Sequence, residues 1–200
     1  MSSLDNPASQ DSSWNSNADN PELLKAIIAA GLWPSLVRIA MPSAKFDQSI
    51  SGTVQRDHEA RAVKFFDDSG RVFLHPGSTL FTAKDFRSGY LSTFAKSAMG
   101  NQDKTYLRDA NEAPMLGLFL LSAGRVAFDH KTGGLEIRSA ADEKKNIVRV
   151  RADARIGVLC NQLRRLVDAV LDDSLEDPGR LQTGHSREIL QTVASALASK

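Results

Sequence analysis

Residues 61–75 read Arg-Ala-Val-Lys-Phe-Phe-Asp-Asp-Ser-Gly-Arg-Val-Phe-Leu-His. Two apolar runs, Arg61–Asp67 and Arg71–His75, flank a short polar linker that ends in glycine. An Asp/Ser/Gly linker between apolar runs is the signature of a β-hairpin. Outward from this hairpin, similar short runs recur at Leu36–Met41, Tyr90–Ser97, Thr105–Ala110, Arg125–Asp129, Leu135–Arg138 and Ile147–Arg151. Met115–Ser122 is an unbroken apolar stretch after Pro114 and predicts a short buried helix. Many short strands with one short helix among them predict a small β-barrel, not a parallel α/β sheet.

Helices flank the strand-rich region. Asn20-Pro21-Glu22 is a helix start: a capping residue, proline at the first helical position and an acid in the first turn. Leu23, Leu24, Ile27 and Ile28 follow at helical spacing, and Gly31 ends the segment. At the other end Asp153 caps a helix that carries Ile156, Leu159, Leu163, Leu166, Val167 and Val170 as its apolar face. Pro178-Gly179 breaks it, and Ser186 is the expected cap of a last helix bearing Ile189, Val193 and Leu197. Residues 1–20 are rich in Ser, Asn and Asp, hold an isolated Trp14, and read as a leader without fixed structure.

Composition bounds the function. The 200 residues carry 42% hydrophobic and 24% charged side chains, the make-up of an ordinary globular domain. No apolar run reaches the length of a membrane span, and no signal peptide is visible. The single cysteine, Cys160, rules out an internal disulfide and fits a reducing compartment, cytosol or nucleus. The net charge is +1; outside residues 1–20, which hold three acids and no base, it is +4. That is mildly basic, and on charge alone the surface is simply mixed.

Catalytic motifs are missing. The chain has no phosphate-binding loop, no Gly-x-Gly-x-x-Gly, no Gly-x-Ser-x-Gly elbow and no His-Glu-x-x-His. His58, His75, His130 and His185 lack metal-ligand spacing. The paired acids Asp142-Glu143 and Asp172-Asp173 lie in polar stretches, unlike a glycosidase pair. Cys160, in an apolar-rich helix, reads as a structural thiol.

Four segments in order resemble the C-terminal module of DEAH/RHA-type RNA helicases. Ala29-Ala30-Gly31-Leu32-Trp33-Pro34 resembles the turn leading into the first strand of that module. Arg71 to Leu80, with His75-Pro76-Gly77-Ser78 at its centre, resembles its strand and loop. Thr105-Tyr106-Leu107-Arg108-Asp109-Ala110 resembles a further strand, followed by Pro114 and the apolar run Met115 to Gly124. Ala154-Arg155-Ile156-Gly157-Val158-Leu159, with Leu163 and Arg164, resembles the helix that closes the module in the long-tailed subgroup, which includes the G-quadruplex-resolving helicases. The departures are Ala29 in place of a cysteine, Ala123-Gly124 in place of Gly-Gly, and Ile147-Val148-Arg149-Val150 where an aromatic often stands.

The resemblance implies a mainly β fold with flanking helices: an OB-fold-like five-stranded barrel with an inserted short helix, a leading helix and C-terminal helices. Residues 21–34 would end a helical, ratchet-type region, 35–152 would form the OB-fold-like domain, and 153–200 a helical extension. It implies contact with single-stranded or structured RNA and packing on the RecA and ratchet domains of the same helicase, with no membrane role. The phosphate loop and DEAH box are not in this sequence, so ATP and magnesium would belong to the motor of the parent helicase. The RNA-facing surfaces it implies are the His75-Pro76-Gly77-Ser78 loop and the hairpin from Lys96 to Asp109.

The residues themselves agree in part. Across 86–108, Arg87, Lys96, Lys104 and Arg108 are opposed only by Asp103. Such side chains pair with phosphates. Tyr90 and Tyr106 are the only tyrosines, and each either stacks a base or packs in the core. Gly77 and Ser78 either present amides to a phosphate or simply form a tight turn set by Pro76. Lys45 and Lys64 are further candidates. Arg149 and Arg151 alternate along one strand face and so share a side, which meets either RNA or the rest of the helicase. The competing reading is a protein-interaction module whose apolar first helix docks a partner. An independent small enzyme is the least supported.

Overall fold

The computed structural model describes residues 17–49, 52–98, 104–129, 131–139 and 146–198, with backbone alone at 45–49, 52–56, 146–147 and 182. Trp14 and the leader before residue 17, Asp103, His130 and the Asp142-Glu143 pair lie outside the described residues.

The chain enters through α1 (Pro21–Gly31), whose cap is the expected one: Asn20 Oδ1 accepts from the Leu23 amide at 3.2 Å. β1 (Leu36–Ala40) follows, then a separate hairpin of β2 (Lys45–Ser49) and β3 (Gly52–Arg56). β4 (Lys64–Asp67) and β5 (Gly70–Leu74) form the hairpin expected at 61–75. Its turn is locked by Asp67, whose Oδ1 accepts from the Ser69 amide at 2.8 Å and the Gly70 amide at 3.1 Å. Gly70 sits at φ +128°, a conformation open to glycine and strained for other residues.

Four short strands complete the sheet: β6 (Tyr90–Thr93), β7 (Lys96–Ala98), β8 (Thr105–Leu107) and β9 (Ala110–Glu112). The seven strands run in the order β7-β8-β5-β4-β1-β6-β9. The outermost strands are joined along the chain. Leu91 pairs with Glu112 and Thr93 with Ala110; in the same register, Lys96 then pairs with Leu107 and Ala98 with Thr105. The Phe94 amide donates to the Asp109 carbonyl between the two halves. β6–β7 is thus one bent strand and β8–β9 another, and the sheet closes as a five-stranded barrel. Its one parallel pairing is β5 with β8. The interior is filled by Val37, Ile39, Phe65, Val72, Leu74, Leu91 and Leu107, all at most 7% exposed. Burying each such side chain contributes roughly 1.5–3 kcal/mol.

After the barrel comes α2 (Met115–Leu121), the buried helix read from its apolar run. β10 (Arg125–Asp129), β11 (Gly134–Arg138) and β12 (Asn146–Arg151) form an antiparallel sheet of their own. Its inner face, including Leu135, Ile137 and Val148, packs with Phe119, Leu36 and Ala29. α3 (Ala154–Glu176), capped by Asp153, and α4 (Gly184–Ala198) build a third cluster around Leu120, Val167, Val170, Ile189 and Val193.

α1 buries Ala26 and Ala29 and leaves Leu24, Ile27 and Ile28 exposed, the apolar patch expected of the first helix. Two details differ from the expectation. α3 buries Gly157, Val167 and Val170, while Ile156, Leu159 and Leu166 stay exposed. Thr183, not Ser186, caps α4: its Oγ1 accepts from the Ser186 amide, and Ser186 lies buried inside the helix. Clearance explains the alanines that α1 buries. A Cβ built on Gly117 would lie 2.5 Å from the Ala26 Cβ, so α1 and α2 meet too closely for a larger side chain on that face.

Candidate nucleic-acid interface

Strand alternation decides which side chains leave the barrel. Val37, Ile39, Phe65, Val72, Leu74 and Leu107 point inward. Their alternates therefore point outward: Arg38 on β1, Lys64 and Phe66 on β4, Arg71 and Phe73 on β5 with His75 beyond, and Tyr106 on β8 between Lys104 and Arg108. Register joins them into one surface. Arg38 pairs with Phe66, Phe66 with Arg71, and Phe73 with Tyr106.

Cations and rings interleave on this surface. The Arg38 guanidinium stands 5.2 Å from the Phe66 ring centre and that of Arg71 stands 4.8 Å from Phe73. Lys104 Nζ lies 5.9 Å from the same Phe73 ring. Phe73 and Tyr106 are 5.9 Å apart, and Tyr106 meets His75 edge-on at 6.2 Å. Among the described residues Arg38, Arg71, Lys104 and Arg108 have no carboxylate partner, so their charge is left to the surface. A cleft of about 280 Å³ opens beside the rings, with Lys64, Arg71, Phe73 and Phe81 in its wall.

The loop after β5 orients His75. The Ser78 amide donates to the His75 carbonyl at 2.8 Å, and Ser78 Oγ accepts from the Leu80 amide at 3.3 Å, so Ser78 is turned inward and 8% exposed. The Gly77 amide donates to His75 Nδ1 at 3.0 Å. An amide only donates, so Nδ1 is the acceptor and the ring proton sits on Nε2. Arg108 Nη2 lies 3.4 Å from that Nε2. Two N–H donors therefore converge with no acceptor between them, which is the geometry that holds an anionic oxygen.

The remaining sequence candidates separate. Lys96 Nζ is 2.5 Å from Asp67 Oδ2, and the Asp67 side chain is 2% exposed, so Lys96 is engaged in the barrel wall. Burial alone would push the Asp67 carboxyl up, but hydrogen bonds from Lys96 and Ser69 outweigh it and hold the group below its usual value. Lys45 lies on β2, and its side chain is outside the described residues. Tyr90 packs against the second core cluster, so of the two tyrosines only Tyr106 joins the outer surface. The Arg87 amide donates to Glu112. Arg38, Phe66, Arg71 and Phe73 were missed as binding candidates. Their signal was the alternation itself: once Val72 and Leu74 are inside, Arg71, Phe73 and His75 are outside.

Among the described residues no group of His, Cys, Asp and Glu could hold a metal ion, and no helix is long and apolar enough to cross a membrane.

Residues 146–199 match a family model described as the C-terminal domain in RNA helicases. The chain is 56% identical over 174 residues to a protein of Mycosarcoma maydis named as a DEAH-box ATP-dependent helicase, covering 84% of this chain and 11% of that protein. It is 30% identical over 183 residues to one of Schizosaccharomyces pombe named as an ATP-dependent RNA helicase, covering 91% of the chain and 13% of the relative. A similarly named protein of Mus musculus is 28% identical over 165 residues, covering 82% and 12%. The chain thus spans only about an eighth or less of the length of these relatives. Barrel, helix order and these matches together assign the chain to the C-terminal module of DEAH-type RNA helicases.

Proposed function

We propose that this module grips single-stranded RNA for an ATP-dependent helicase, through the outer face of β1, β4, β5 and β8. The observation that carries this is the pair of converging donors, His75 Nε2–H and Arg108 Nη2–H, beside the stacked rings of Phe73 and Tyr106. The donors suit a phosphate oxygen, and the half-exposed rings suit bases. Arg71 and Lys104 flank the rings and neutralise neighbouring phosphates. Lys64 and Phe81 border the adjoining cleft, where an unstacked base fits beside Phe73. ATP and magnesium act in the motor of the longer protein. Such a module raises the hold of the helicase on its strand without performing the hydrolysis.

The test is fluorescence anisotropy of a labelled oligo-RNA with the whole chain at low salt. Salt-sensitive binding that falls when Phe73, Tyr106 and Arg108 are replaced supports the reading. Absence of binding at low salt overturns it.

A second reading has its own observation. Leu24, Ile27 and Ile28 of α1 are 45, 53 and 42% exposed on one helix. That apolar surface suits packing on the helicase core. Pulldown with the core domains in the absence of RNA, compared for wild type and Ile27→Asp, tests it.

A further inference from the structure

The sheet β10–β12 has two faces of opposite character. One is apolar and buried. Alternation and register put Arg125, Arg138, Arg149 and Arg151 on the other, opposed only by Glu136 and Asp129 among the described charges there. Glu136 lies at the centre, and its side chain is 1% exposed. Arg138 donates to Glu136 Oε2 through Nη2 at 2.9 Å and Nε at 3.3 Å. Arg149 Nη2 lies 2.5 Å from Glu136 Oε1. These arginine side chains remain 40% and 51% exposed.

A buried carboxylate held by two arginines is poor evidence of a stability device, since apolar packing does as well. It fixes the Arg138 guanidinium through two hydrogen bonds and holds Arg149 nearby through an ion pair with Oε1, which accepts no hydrogen bond among the described residues. Among the described residues Arg138 keeps Nη1 for an outside acceptor, and Arg149 keeps Nε and Nη1. Arg151 is exposed two residues further along the same strand face. No described side chain on this face carries an aromatic ring; Ala127 and Gly134 leave its floor flat. Among the described residues bases have nothing on this face to stack on. Planar donors on a flat floor suit the repeated phosphates of a nucleic-acid backbone.

We propose that this arginine face is a second, sequence-blind site for the phosphate backbone of RNA, separate from the barrel face, with Glu136 as the positioning residue for Arg138 and Arg149. It does not rest on the barrel reading.

The test uses the whole chain with a labelled RNA duplex and a labelled single strand of uridines, titrated over a salt series. Arg149→Gln and Arg151→Gln should each make the slope of log affinity against log salt shallower, by about 0.9 on duplex or about 0.7 on single strand. Whichever RNA shows the change identifies the backbone form that is bound. Glu136→Gln separates positioning from bulk charge: losing a negative charge should tighten RNA binding, whereas loss of positioning weakens it. Circular dichroism confirms that each variant is folded; if Glu136→Gln is not, the Arg151→Gln result decides. A Phe73→Ala/Tyr106→Ala variant reports on the barrel face alone and should leave the two arginine effects intact. Unchanged slopes on both RNAs in Arg149→Gln and Arg151→Gln overturn the proposal. So does a polyglutamate peptide that displaces RNA from the chain as effectively as unlabelled RNA does, since the face would then be a dock for acidic protein.

Discussion

Phe73 and Tyr106 stand opposite each other on the parallel pair β5–β8, their ring centres 5.9 Å apart and both half-buried. Arg71 and Lys104 stand near the Phe73 ring, and His75 meets Tyr106 edge-on. Replacing either ring by alanine is expected to weaken single-strand binding by about 1–3 kcal/mol if it stacks a base. Phe73→Leu keeps most of the apolar contact and loses the stacking, so it should bind almost as poorly as Phe73→Ala. Titration by anisotropy, with thermal melts of the same proteins, separates lost stacking from lost fold.

His75 and Arg108 act together if one phosphate oxygen accepts from both. Their effects should then be non-additive. His75→Ala and Arg108→Gln each lower affinity, and the double variant loses less than the two losses combined, with a coupling of about 0.5–3 kcal/mol. Gly77→Pro removes the amide that fixes the ring and should reproduce the His75→Ala loss. A double-mutant cycle on RNA affinity measures this; strict additivity would separate the two donors.

Much of the fold is legible in the sequence. Asn20-Pro21-Glu22 named the start of α1, the Asp67-to-Gly70 linker named the β4–β5 turn, and Tyr90–Ser97 and Thr105–Ala110 marked the two bent strands. These features are local: a cap, an Asx turn and period-two alternation are written in adjacent residues. The Lys45–Arg56 hairpin lacks a clean apolar alternation, so the sequence does not disclose it. The buried face of α3 is hidden for a different reason. Size and hydropathy favour Ile156 and Leu159, but clearance favours Gly157. A Cβ on Gly157 would come within 3.0 Å of Leu135 Cδ2. Which helix face meets a neighbour at close range is a long-range property, invisible to local periodicity. The same holds for Lys96, whose partner Asp67 is 29 positions away.

That pair gives a pH-dependent prediction. Asp67 titrates below its ordinary value in the folded chain, so it binds protons less readily there than when unfolded. Its contribution is therefore present above the usual aspartate pKa of about 3.9 and disappears as pH falls through the lower folded value. Lys96→Met should cost about 1–3 kcal/mol at neutral pH, a range below that of a fully buried pair because Lys96 is partly solvated. The difference from wild type should shrink at pH 3 and below. Urea midpoints at pH 7 and pH 3 measure it, and a cost that stays constant across that range would mean the lysine acts by a route other than the Asp67 carboxylate.

Gly117 is where α1 meets α2, and its hydrogen is a packing requirement. An added Cβ would lie 2.5 Å from the Ala26 Cβ and 3.0 Å from the Ala26 Cα. The second of these atoms is backbone and cannot swing aside, so the helices must separate. Overpacking of this kind costs about 1–3 kcal/mol. It would also disturb the packing of Leu120 on α2 with Val167 on α3, which share a buried cluster. Gly117→Ala should therefore lower the melting temperature by several degrees without altering the barrel face. Gly89→Ala is the matched control, because a Cβ there meets nothing within 4 Å and its φ is ordinary; it should be neutral or slightly stabilising. Ala26→Gly in the Gly117→Ala background removes the clashing Cβ but adds a helix glycine worth about 1 kcal/mol. The double variant should recover part of the loss; none recovered would mean that the Ala26 backbone, not its methyl, sets the spacing of the two helices.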